Sequence, residues 1–341
     1  MKKHVLLILA AVLASLSLLY GCGGRNNRKA GFVPEGPGIP TDSIYCRDPF
    51  IVADSASGIY YLYRSSTTEE GLGGVEVFKS QDLATWYGPQ RVFTAPKDNF
   101  INGYVWAPEV HCFKGNWYLF ATMNTDRTWA ESPEGWPAFT YRGTQIYRSA
   151  SLEGPFLPLA EDPTTPKDWM ALDGTLWVED GIPYMVFCHE WVQTIDGTFE
   201  LMPLKKDLSG AAGEPVTLFT ASQAPWISPV NQWTEADGVQ KPAYVSDGNF
   251  VYRTKDGELL ILWSSFKDGK YCVAISRSAS GKIAGPWSCD PEPIFDQDGG
   301  HPMVFRAFDG SLKIAFHQPN GGFSHPVILN LEDTGKTLLI H

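Results

Sequence analysis

One module is written five times in this chain. A short apolar strand, a glycine-containing turn and an aromatic-rich strand recur from Arg47, Trp106, Leu172, Ser246 and Gly300, at intervals of 54 to 74 residues. The turns carry Ser57-Gly58, Lys114-Gly115, Asp180-Gly181, Asp256-Gly257 and Asp309-Gly310, which read as hairpin signals between apolar runs. A more polar strand with a Ser/Asp-rich turn follows four of the copies, starting near Gly74, Thr144, Thr198 and Tyr271. Repeats at this spacing point to an array of like units. Four strands per copy and five copies describe an all-β, five-bladed β-propeller with four-stranded antiparallel blades. A β-sandwich does not explain a hairpin that returns at this interval, and little of the chain shows the 3.6-residue apolar period of a helix.

The remaining segments frame that ring. Lys2 and Lys3 precede the apolar run Val5–Leu19, the pattern of a secretory signal over residues 1–21. The run ends at Gly21-Cys22, which resembles a bacterial lipoprotein box with Cys22 as the lipidated residue. Residues 22–43 then read as a lipid-anchored flexible tether, and 44–341 as one propeller domain. This reading places the protein in a bacterial cell envelope, held by a lipid anchor, with the outer membrane (periplasmic or surface face) as the expected address. Cys46, Cys112, Cys188, Cys272 and Cys289 stand singly, so neither a zinc site nor a dense disulfide framework is indicated. With 27 basic against 38 acidic residues the formal net charge is −11, which disfavours nucleic acid as a partner.

Inner strands of a propeller all run the same way, so equivalent strand starts converge at one end of the axis. The starts carry Asp48, the Trp106/Glu109 pair, Asp173, Asp247 and His301. Gathering three carboxylates raises their pKa values, a cost usually kept for function. The arrangement suits glycoside hydrolysis, in which one carboxylate activates water and a protonated partner supplies the leaving oxygen with a proton.

Arg47-Asp48-Pro49, Trp106-Ala107-Pro108-Glu109, Leu172-Asp173-Gly174 and the Gly299-Gly300-His301 turn together resemble glycoside hydrolase family 43 over roughly Ile44 to Asn320. The resemblance implies a five-bladed propeller and an inverting reaction run by three acids. On it, Asp48 is the general base and Asp173 orients the acid and holds its pKa up. The fourth blade departs from the family's Glu-Gly-Pro, reading Asp247-Gly248-Asn249. Two residues remain open for the acid: Asp247, or Glu190, which ends the strand antiparallel to the one Asp173 begins. Arg47, Trp106, Glu109 and His301 are the expected substrate-binding residues, with Glu109 at the rim and Trp106 stacking on a sugar face. The resemblance also implies a central water or calcium ion near His301, with His189 and His317 approaching the same region. Calcium prefers several oxygens, so any such ion is structural and no cofactor is required.

The long loops 125–140, 160–172 and 221–245 hold Trp129, Trp136, Trp169, Trp226 and Trp233 and are expected to wall a pocket for a terminal sugar. The expected partner is an oligosaccharide or polysaccharide. α-L-Arabinofuranosides come first among the substrates the resemblance implies, then β-xylosides and galactosides. The alternative from another class is a carbohydrate-binding envelope lipoprotein that kept the propeller and lost catalysis.

Overall fold

The computed structural model describes residues 32–97 and 103–341. The leader and Cys22 lie outside the described residues. Five antiparallel sheets form the five blades of the propeller. Blade 1 comprises Phe50–Asp54, Ile59–Thr67, Gly73–Ser80 and Thr85–Thr94; blade 2, Tyr104–Phe113, Asn116–Ala130, Phe139–Ser149 and Leu157–Pro158. Blade 3 comprises Ala171–Glu179, Ile182–His189, Thr198–Pro203 and Val216–Thr220; blade 4, Asp247–Arg253, Leu259–Lys267, Lys270–Ser278 and Trp287–Cys289. Blade 5 comprises Gly300–Arg306, Leu312–Gln318, His325–Asp333 and Leu338–Ile340. Every blade is continuous in sequence, and the five Gly-containing turns all join first strand to second, as the repeat predicts. Ile39–Pro40 adds a fifth edge strand to blade 1, against Thr85 and Trp86. Part of the expected tether is therefore blade.

Alternating aromatic and β-branched residues bury the blades against one another. Tyr63, Trp86, Phe120, Tyr147, Phe187, Phe199, Trp263 and Phe316 are fully enclosed in the sheets or between them. Blades 5 and 1 meet without an exchanged strand. Their seam is held by Cys46 N–H donating to Ser324 O at 2.9 Å, by Phe308 N–H donating to the Tyr60 hydroxyl at 2.8 Å, and by stacking of Tyr60 on Phe308 at 4.0 Å.

The inner strands enter through a shared irregularity. Asp48, Ala107, Asp173, Gly248 and His301 all take positive φ, and each is followed by Pro, Gly or Asn. In blades 2 to 5 this point coincides with a break in register with the second strand. Such bulges re-aim side chains at a sheet's end. In blade 4 the bulge residue is Gly248, so Asp247 sits one position earlier than Asp48 and Asp173 do in theirs. A Cβ on Gly248 would stand 2.7 Å from Cα and Cγ of His301, which packs directly on it.

Candidate active site

The bulges deliver their side chains to one cavity of about 890 Å3, lined by Arg47, Asp48, Trp106, Asp173, Glu190, Asp247 and His301 among others. Asp48 Oδ1 lies 3.2 Å from His301 Nδ1 and 3.1 Å from His317 Nδ1. His317 is wholly buried, and its Nε2 is 3.2 Å from Asn320 Oδ1, which also accepts from Arg47 Nη2 at 2.9 Å. Burial opposes the charge on Asp48, but His301, His317 and Arg47 outweigh it and hold this carboxyl below the usual carboxylate range.

The other two aspartates go the opposite way. Burial, then the charge of Asp48, pushes Asp173 well above its ordinary value, although Gly248 N–H donates to its Oδ2 at 2.9 Å. Burial and the charge of Asp173 do the same to Asp247. Three enclosed carboxylates cannot all ionise, so this group retains a proton. The amide of Gly248 favours charge on Asp173. Asp247 Oδ2 accepts from the Tyr271 hydroxyl at 3.0 Å. Asn249, in place of the family's proline, donates from Nδ2 to Asp173 O at 2.7 Å and ties blade 4 to blade 3.

Glu190 reaches the same cavity but is bound to Arg142. That guanidinium also donates to Asn124 Oδ1 at 3.1 Å and lies 4.4 Å over the Trp106 ring, and it is buried. Burial raises the Glu190 carboxyl and Arg142 works against that rise. A proton on Glu190 would leave an enclosed guanidinium without its counter-ion, a costly state. Trp106 is 38% exposed, with Arg142 over one face of its ring.

Glu109 does not stand at the rim. It is buried two residues beyond the bulge of blade 2, its Oε2 2.7 Å from His111 Nε2, and it is absent from the cavity wall, because the strand has turned inward by that point. His189 also goes elsewhere, stacking on Trp169 at 4.1 Å and bonding Gln193. The wall is closed by Trp191, from a short helix after Glu190, and by Val230, rather than by the loop tryptophans. Trp136 and Trp233 stand behind them, while Trp226 packs against Trp263 in the core. Arg142 and Tyr271 escaped the sequence reading. Arg142 sits in a strand with no motif around it; the only signal for Tyr271 was its place opening a repeated strand.

His301 Nδ1 is engaged by Asp48, and among the described residues no three His, Cys, Asp or Glu side chains form a metal-binding group.

The model of glycosyl hydrolases family 43 matches residues 38–340. The chain belongs to that family. This family 43 chain is 40% identical to a solved endo-arabinase from Bacteroides thetaiotaomicron, with a TM-score of 0.76, covering 89% of the chain and all of the other. It is 24% identical over 94% of its length to an extracellular exo-α-(1→5)-L-arabinofuranosidase of Streptomyces avermitilis. Over 64% of its length it is 26% identical to α-L-arabinofuranosidase 43 of Humicola insolens. The chain spans 64% and 44% of the lengths of these two curated relatives.

Proposed function

We propose that this protein hydrolyses α-L-arabinofuranosyl linkages of oligo- or polysaccharides with inversion at the anomeric carbon. The observation that carries the reading is a single cavity in which neighbouring carboxyl groups are driven in opposite directions, Asp48 toward the ionised form and Asp247 toward the protonated one. Environments that split the pKa values of paired acids assign base and acid. Asp48 takes a proton from water as the water oxygen bonds to the anomeric carbon. The glycosidic C–O bond breaks, and its electron pair takes the proton of Asp247. Asp173 stands beside it with Oδ2 held by the Gly248 amide and, when ionised, keeps that proton in place until the oxygen needs it. Glu190 is committed to Arg142, which favours Asp247 as the acid. The relatives described above are two arabinofuranosidases and an endo-arabinase, which supports arabinofuranosyl units over xylosyl ones. The Gly21-Cys22 motif supports attachment to a bacterial envelope by a lipid on Cys22.

The test is turnover of arabinan and arabino-oligosaccharides by the wild type and by Asp48→Asn and Asp247→Asn, with the anomeric configuration of the first product followed by NMR. We expect kcat to fall about 100- to 10,000-fold in each variant, with thermal stability retained. A fully active Asp48→Asn enzyme, or a product of retained configuration, overturns the assignment. A wild type that binds but never cuts these sugars would leave the non-catalytic reading.

A further inference from the structure

On the side of blades 3 and 4 the cavity wall includes Trp191 and Val230, and Trp191 is backed by Trp136, whose ring lies 5.1 Å away. Toward blade 1 the lining continues past Asp48 along Arg64, Ser65, Ser66 and Thr67 to Glu76 on the third strand. A fixed polar array lies there. Glu76 Oε2 accepts from Arg64 Nη2 at 2.9 Å and Nε at 3.3 Å, Glu76 Oε1 accepts from Arg91 Nη2 at 3.2 Å, and Arg64 Nη1 donates to Tyr45 O at 2.7 Å. The Tyr45 ring beside it is 48% exposed and leans on Phe323, itself 54% exposed, at 5.8 Å. A half-exposed aromatic face next to rigid, charged hydrogen-bonding groups matches a sugar ring, which has an apolar face and an edge of hydroxyls.

We propose that Tyr45, Arg64 and Glu76 form a second sugar subsite over blade 1, and that it makes the released product larger than a monosaccharide. The inference rests on the hydrolase reading above. Asp247, on blade 4, must touch the leaving oxygen, and Asp48, on blade 1, must stand across the reacting carbon from it. A unit held beyond Asp48 lies away from the departing chain, so it belongs to the part that stays joined to the reacting sugar.

The experiment is a ladder of linear α-1,5-linked arabino-oligosaccharides, from the dimer upward, labelled at the reducing end. Products are sized, and kcat/KM is measured for the wild type, Tyr45→Ala and Arg64→Ala, each checked for folding by thermal melting. We expect wild-type cuts that release units longer than free arabinose from the non-reducing side, and kcat/KM that climbs with length. Either variant should lose about tenfold on the longer members and little on the shortest that is cut. Tyr45→Ala changes only an exposed side chain and keeps the test open if Arg64→Ala misfolds. Free arabinose as the sole product, or length dependence unchanged in Tyr45→Ala, overturns the subsite. A ladder left uncut by the wild type overturns the arabinofuranosyl reading itself, and the subsite with it.

Discussion

At the scale of single residues, the site depends on charges being placed unequally. Asp48 faces two imidazoles and a guanidinium, whereas Asp247 faces another carboxylate and a phenol. On the proposed roles, the acidic limb of kcat/KM belongs to Asp48 and the alkaline limb to Asp247. A negative Asp173 favours the protonated form of Asp247, so Asp173→Asn should let that proton leave at lower pH. The alkaline limb should move down by about one pH unit, as a pH–rate profile on an arabino-oligosaccharide would record. An unmoved limb would mean that Asp173 only positions its neighbour. Asp48 and Asp173 were legible in the sequence because each sits at a repeated strand start. The Asp247–Tyr271 contact was not, since it depends on how two strands of one blade curl together rather than on either segment alone.

At the scale of elements, the cavity wall shows how distant loops cooperate. Trp136 donates from Nε1 to Val192 O at 2.9 Å and packs between Trp191 and Trp233. It thereby fixes the four-residue helix Trp191–Thr194, which directly follows Glu190. Truncation by Trp136→Ala should cost about 3 kcal/mol of stability, read by denaturant unfolding. It should also lower activity by freeing Trp191 and Glu190, although residue 136 is not a cavity residue. Hairpin turns and strand order were readable because turn chemistry and two-residue alternation are local. The packing of the loop tryptophans was not, because an indole reads the same whether it lines a cavity or supports another indole. The burial of Glu109 was not legible for a related reason: two residues past a bulge, the strand has already left the rim.

At the scale of the whole molecule, five contiguous blades close into a ring whose last and first members have no chain linking them. Nothing in that arrangement requires the break to fall where it does. Joining residue 341 to residue 38 and opening the chain between Pro158 and Ala171 should preserve the propeller. Circular dichroism and retained arabinan cleavage would check this, and loss of both would make the present chain order a requirement for folding. The repeat made the ring legible, but it said nothing of what fastens blade 5 to blade 1.

That fastening lies beside Asp48. Arg47 and Asn320, which clasp each other across the seam, also complete the surroundings of Asp48 and His317. Heat that parts the ring at its unlinked joint would therefore silence the enzyme before the sheets themselves melt, and a permuted chain with its gap moved elsewhere would stay active to a higher temperature.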